Sequence, residues 1–129
     1  MVLVDSSVWI EYLSHYTSKV ATAMEGLIRP ANRVVTTGII FQEVLQGITN
    51  QRSFHLTQKL LGRLPCLIPT LATHLKAAEI FRTLTLNGKT PSSIDAFIAA
   101  LAIENGVRLF TLDKDFYRIE THSKLELFK

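Results

Sequence analysis

Four acidic residues, spread over the length of the chain, stand where a carboxylate could take part in catalysis. Asp5 follows a short apolar run at the start of the chain, and Asp113 follows a second such run at 107–111. Both runs predict buried strands, and each strand would deliver a carboxylate to the edge of a sheet, where ligands bind. Glu43 lies beside the apolar stripe of a predicted helix, and Asp95 lies in the first turn of another. All four are therefore candidate site residues.

Each of these acids also has a purely structural explanation. Asp5 could cap the helix that begins at Ser6, and Ser92 with Asp95 has the spacing of a capping box. Glu43 could lie on a solvated helix face. Considered together, the four acids are better explained by one metal pocket, because clustered carboxylates repel one another unless a cation neutralises them.

The ligand types indicate which metal such a pocket would hold. The chain has one cysteine, Cys66, and its histidines show no pair at ligand spacing. Carboxylate oxygens without such partners favour Mg²⁺ or Mn²⁺ over zinc. A hard divalent ion orients a phosphate, lowers the pKa of a bound water and neutralises charge in the transition state. The acids therefore predict hydrolysis of a phosphodiester.

The elements that must position these acids alternate between strands and helices. The patterns predict strands at 2–4, 33–36, 66–68, 107–111 and 125–128, helices at 8–16, 20–29, from 37, 51–63, 71–86 and 92–105, a break at 29–32 and a turn at 113–117. Such alternation predicts a three-layer α/β/α domain with a mainly parallel central sheet. We expect residues 1–129 to form a single domain.

Several finer expectations concern individual side chains. Trp9 should lie in the core, and Cys66, which has apolar neighbours, should be a small buried residue. Thr22 and Glu25 have capping-box spacing at the start of the second helix. The helix at 71–86 should bury an apolar stripe that includes Leu75.

Composition excludes several classes of protein. With 129 residues, of which 47% are hydrophobic and 19% charged, the chain is globular rather than disordered. Its apolar runs fall well short of the roughly 18 residues of a membrane span. The first residues carry no basic segment and reach an acid too early for a signal peptide, so we expect a cytoplasmic protein. The net charge of +3 is a mild bias toward polyanions.

Four segments, in order along the chain, resemble the motifs of PIN-domain ribonucleases and in particular those of the bacterial VapC toxins. The segments are VDSSVWI at 4–10, EVLQG at 43–47, DAFIAA at 95–100 and TLDKDF at 111–116. The resemblance covers essentially the whole chain, and the ordered set is much more specific than any one motif.

The resemblance implies a Mg²⁺-dependent endoribonuclease that leaves 5′-phosphate and 3′-hydroxyl ends. It also implies a homodimer and a VapB-like antitoxin that occupies the active-site groove. The matching positions supply carboxylates and hydroxyls: Asp5, Glu43 and Asp95 as core metal ligands, Asp113 as the fourth acid, and Ser6 or Thr111 as an assisting hydroxyl. Asp115, two residues beyond Asp113, is the alternative for the fourth position.

Two other functions stay open at this point. An inactive PIN-like module could bind RNA or protein, although it would not need to keep four carboxylates together without a cation. A phospho-receiver-like signalling domain also has an acidic Mg²⁺ corner. It would place adjacent acids after the first strand, whereas Ser6 and Ser7 follow Asp5.

Overall fold

Two compact units make up the chain, residues 1–68 and residues 69–129. The structure is a computed structural model and describes residues 1–15, 17–29 and 33–129. Tyr16, at the end of the predicted first helix, and residues 30–32 of the predicted break lie outside the described residues. Within the described ranges, no helix is both long enough and apolar enough to cross a membrane.

The first unit alternates strands with helices. Its elements are β1 (Val2–Val4), α1 (Ser6–Ser14), α2 (Lys19–Ile28), β2 (Val34–Val35), α3 (Gly38–Gln46) and α4 (Gln51–Gly62). The two strands pair in parallel, with Val2 opposite Val34 and Leu3 opposite Val35. Both strands are fully buried, as expected for β-branched runs that are covered on both faces.

Short polar residues begin the helices of this unit. The Ser18 hydroxyl accepts the backbone N–H of Ala21 at the start of α2, and Asn50 does the same for Ser53 at the start of α4. Such caps satisfy backbone donors that a helix leaves unpaired. The expected capping box of Thr22 and Glu25 is therefore wrong, because the helix begins one turn earlier, at Ser18.

The second unit contains α5 (Leu71–Leu86), α6 (Ser93–Glu104), β3 (Arg108–Phe110) and α7 (Asp115–Thr121). Helix α6 buries six of its residues, four of which are alanines. Small side chains let neighbouring elements approach closely, and each large buried residue such as Ile98 or Leu101 contributes about 2 kcal/mol by leaving water. A left-handed glycine, Gly106 (φ +63°), follows the end of α6 and leads the chain into β3.

Two predicted strands are shorter than expected. Cys66 forms an isolated parallel bridge to Thr36, and Leu127 forms one to Leu109, so neither 66–68 nor 125–128 is a full strand. The predicted turn at 113–117 is in fact the start of α7. An isolated bridge depends on its partner segment, which a local pattern does not reveal.

Burial also corrects two expectations. Trp9 lies in the core as predicted, but Cys66 is exposed. Helix α5 buries Thr73, Ala77, Ile80 and Leu84, whereas Leu75 is 64% exposed. The buried face includes a threonine because its hydroxyl donates to a carboxylate oxygen of Glu104 at 2.6 Å. A hydrophobic pattern alone assigns that position to the surface.

Candidate metal centre

Asp5 occupies the corner between β1 and α1. Its backbone carbonyl accepts the N–H groups of Val8 and Trp9 at 3.1 and 3.2 Å, so the main chain of Asp5 begins the helix. Its side chain makes no capping hydrogen bond to α1 and instead accepts the Ser7 hydroxyl at 2.9 Å. Asp5 as a whole is only 6% exposed. Helix capping therefore does not explain why an acid stands here.

Glu43 lies in the middle of α3 and is half-buried. The Ser6 hydroxyl donates to its Oε1 at 3.4 Å. Burial raises the pKa of Glu43, the charge of Asp5 raises it further, and the Ser6 hydroxyl works in the opposite direction. Partial burial and a neighbouring negative charge both destabilise an ionised carboxylate, and a bound cation offsets this cost. In this unit Asp5, Glu43 and Ser6 form one electrostatic group.

Asp95 lies in the first turn of α6, in the second unit. The Ser92 hydroxyl accepts the Asp95 backbone N–H at 3.3 Å and so begins the helix. The main chain of Asp95 is thereby fixed by its neighbour. This local bond determines where the carboxylate leaves the helix.

Asp113 is held by hydrogen bonds on both sides, just after β3. Its backbone N–H donates to the Thr111 hydroxyl at 3.0 Å, and its Oδ1 accepts the backbone N–H of Asp115 at 2.9 Å. The second bond is an Asx-type turn, which leads the chain into α7. Thr111 thus positions the acid segment through its main chain.

The three acids of the second unit form a cluster. One carboxylate oxygen from each of Asp95, Asp113 and Asp115 lies within 4.8 Å of the other two, and the first two residues are partly buried. Two bonds from oxygen to Mg²⁺ span at most about 4.2 Å, so a small contraction or a bridging water would let these oxygens share an ion. The donor set suits a hard divalent cation. Both candidates for the fourth acid are near Asp95.

A small cavity adjoins the acid cluster. It has a volume of about 20 Å³, enough for one water or ion, and its lining includes Asp95, Asp115, Lys89 and Arg118. Neither basic side chain is among the predicted site residues. Arg118 lies on α7, which the sequence presented only as a turn, and an exposed lysine such as Lys89 gives no local signal.

The comparisons with known proteins identify the family. Residues 2–121, which span both units, match the PIN domain. The chain belongs to the PIN-domain family. Over 119 residues it is 34% identical to ribonuclease VapC11 of Mycobacterium tuberculosis, a match that covers 90% of this chain and 89% of that protein. This assignment removes the phospho-receiver alternative.

Solved structures show the same fold. VapBC-1 from nontypeable Haemophilus influenzae has a TM-score of 0.79 at 22% identity, over 100% of this chain and 98% of that one. VapBC2 from Rickettsia felis, solved bound to a DNA fragment from its promoter, has a TM-score of 0.78 at 18% identity over the full length of both chains. The predicted α/β fold of PIN type is therefore confirmed.

Proposed function

We propose that this protein is a metal-dependent endoribonuclease and the toxin of a toxin–antitoxin pair. The observation that carries the proposal is the cluster of Asp95, Asp113 and Asp115, whose oxygens lie within 4.8 Å of one another. The 34% identity to a VapC ribonuclease supports RNA as the substrate. The cytoplasm, where RNA is made and used, is the proposed location.

We propose that Asp5 and Glu43 of the first unit and Asp95 and Asp113 of the second serve one Mg²⁺ or Mn²⁺ centre. Asp115 is a further ligand within reach. When bound, the ion would polarise the scissile phosphate, lower the pKa of a water and neutralise developing charge. Carboxylates are the ligands that this chemistry needs, and the raised pKa of Glu43 indicates that its site favours a compensating positive charge.

The remaining residues would hold the acids in place. The hydroxyls of Ser6 and Ser7 donate to Glu43 and Asp5, which restricts the rotation of both carboxylates. Ser92 and Thr111 fix the main chain at Asp95 and Asp113. Catalysis of phosphoryl transfer depends mainly on such positioning and on electrostatics. We expect products with 5′-phosphate and 3′-hydroxyl ends.

A protein partner is part of the proposal. A solved structure with the same fold, from Klebsiella pneumoniae, is a toxin–antitoxin complex, and we propose an antitoxin of the VapB type for this chain as well. The first unit has an apolar depression of about 410 Å³ whose lining includes Ile10 and Leu56, which are 50% and 57% exposed. Exposed apolar surface of this kind is typical of protein contact sites. We also propose a homodimer, which gel filtration at several concentrations would reveal.

The proposal is tested by incubating a total-RNA pool with the purified, antitoxin-free chain in Mg²⁺ or in EDTA. Asp5→Asn, which is nearly isosteric, is prepared in parallel, and Glu126→Gln serves as a control because that acid is exposed and lies outside all four motifs. We expect discrete fragments only with metal and only from the native chain and the control. Full activity of Asp5→Asn, or equal cleavage in EDTA, would refute the proposal.

A further inference from the structure

The central part of the sequence is basic and free of acids. Between Glu43 and Glu79 the chain has no aspartate or glutamate, although it has four lysines and arginines and two histidines. A solvated helical surface ordinarily mixes both signs of charge. This segment therefore carries a local positive charge that the net charge of +3 does not suggest.

Helix α4 arranges most of this charge in one line. Arg52, His55, Lys59 and Arg63 recur about once per turn, which places them within an arc of about 80° on the helix surface. All four are exposed, and we call them the α4 basic stripe. From the first to the last, the stripe extends about 16 Å along the axis. A shallow depression of about 460 Å³ runs beside it, lined by Gln58 and Gly62 together with three members of the stripe.

Helix stability does not account for the stripe. Lys59 and Arg63 lie near the carboxyl end of α4, where a positive charge is favoured by the helix dipole. Arg52 lies in the first turn, where the same dipole makes a positive charge unfavourable. Within the described part of the chain, the ion pairs use Glu11, Glu25 and Glu120, and none includes a basic residue of α4.

We propose that the α4 basic stripe binds the sugar–phosphate backbone of single-stranded RNA. The inference rests on the proposed function, which makes RNA the substrate, and adds a surface outside the acid groups that would hold it. Regular positive charge with no intervening acid is complementary to a strand that carries one phosphate per nucleotide. The guanidinium groups of Arg52 and Arg63 match phosphate oxygens in a two-pronged geometry.

An acidic protein segment is a poorer fit to this surface. Such a segment would gain from apolar anchors between the charges, and the arc of the stripe itself holds none: Leu56, which is 57% exposed, borders the arc, and Phe54 lies on the opposite side of the helix. No Phe, Tyr or Trp is among the four members of the stripe, which also predicts contact with the backbone rather than with stacked bases. Binding should therefore depend strongly on salt and weakly on sequence.

The test measures RNA binding separately from RNA cleavage. A fluorescent single-stranded RNA of mixed sequence is titrated with the full chain in EDTA, at several KCl concentrations, by anisotropy. The test variant is Arg52→Gln/Lys59→Gln/Arg63→Gln, in which glutamine preserves helix propensity. The matched control, Lys19→Gln/Arg33→Gln/Lys124→Gln, removes the same charge from exposed positions elsewhere. A charge-preserving variant, Arg52→Lys/Arg63→Lys, changes two of the same positions but keeps their positive charge, so it separates the effect of charge from an effect on folding.

We expect the slope of log K against log salt to fall by about 2 in the test variant, because each single-strand phosphate contact contributes about 0.7. Affinity at 0.1 M salt should drop about 100-fold. The control should change the slope far less, and the lysine variant should keep it. This result would stand even if the native chain cleaved no RNA, which would refute only the proposed function.

Three outcomes would overturn the inference. The two triple variants could show the same slope, which would make the stripe no different from other surface charge. The native chain could fail to bind the RNA. Finally, the test variant could keep RNA binding and lose binding to poly-glutamate, which would assign the stripe to an acidic protein partner.

Discussion

The side chain of Asp113 has two roles that substitution can separate. Its Oδ1 accepts the Asp115 backbone N–H at 2.9 Å, and its carboxylate lies in the cluster with Asp95 and Asp115. Asp113→Asn keeps an oxygen acceptor of the same shape and removes the charge. Asp113→Ala removes both. The two variants together therefore distinguish repulsion within the cluster from the hydrogen bond that begins α7.

The size of the effect follows from the separation of the oxygens. The oxygens lie at most 4.8 Å apart, and at that distance two unit charges repel by about 0.9 kcal/mol in water, which physiological salt reduces by roughly half. Asp113→Asn removes two such pairs and should recover about 1 kcal/mol without metal. For 129 residues the unfolding entropy is about 270 cal/mol/K, so the melting temperature should rise about 4 °C. In Asp113→Ala the lost hydrogen bond costs about 1 kcal/mol and cancels the gain.

Thermal melting in EDTA and in MgCl₂ measures both effects. In EDTA we expect Asp113→Asn to melt highest and Asp113→Ala to match the native chain. At tenfold the dissociation constant, Mg²⁺ adds about 1.4 kcal/mol, or about 5 °C, to the native chain and less to Asp113→Asn. Repulsion within the cluster is excluded if Asp113→Asn melts no higher than Asp113→Ala in EDTA, and a metal site is excluded if Mg²⁺ leaves the native melting temperature unchanged.

Two further predictions concern Glu43 and Arg118. Because the pKa of Glu43 is raised from 4.5 by burial and by the Asp5 charge, its contribution to stability is present below the unfolded pKa and is lost as pH rises through the folded pKa. In EDTA, Glu43→Gln should therefore melt above the native chain at pH 7 but not at pH 4. An equal difference in melting temperature at the two pH values would contradict a raised pKa for Glu43. Arg118 lines the cavity beside Asp95, so Arg118→Gln should raise KM for RNA about tenfold with kcat nearly unchanged, since a charge-assisted bond to phosphate is worth about 1.5 kcal/mol. A fall in kcat at constant KM would instead place Arg118 in the chemical step.

The features that local sequence determines were predictable. The buried strand before Asp5 and the helix that Ser92 begins both follow from patterns of a few residues, and the structure shows both. The stripe predicted for α5 is confirmed at Leu84, which is buried, and wrong at Leu75, which is exposed while Thr73 is buried through its bond to Glu104, 31 residues away. A contact between residues so far apart in the sequence cannot be inferred from the local pattern of residues.

In the candidate site, too, the local sequence predicts some features and not others. Asp5 and Asp113 are predictable because each follows a buried strand, and Glu43 and Asp95 because of their places on predicted helices. The sequence does not separate Asp113 from Asp115, because it does not define the turn between them. In the structure both approach Asp95, because the Asx-type turn starts α7 directly. Arg118 was missed for the same reason, since it lies one turn into a helix that the sequence presented as a turn.

The proposed catalytic centre combines Asp5 and Glu43 with Asp95 and Asp113, and a cycle of Asp5→Asn, Asp95→Asn and the double variant tests this proposal. The measurement is the single-turnover rate of RNA cleavage in Mg²⁺. Residues that act as a unit are strongly non-additive, so we expect each single variant to lose about 10³-fold or more and the double variant to lose no more than the worse single. Losses that multiply in the double variant, or a single variant with nearly native activity, would contradict a shared centre.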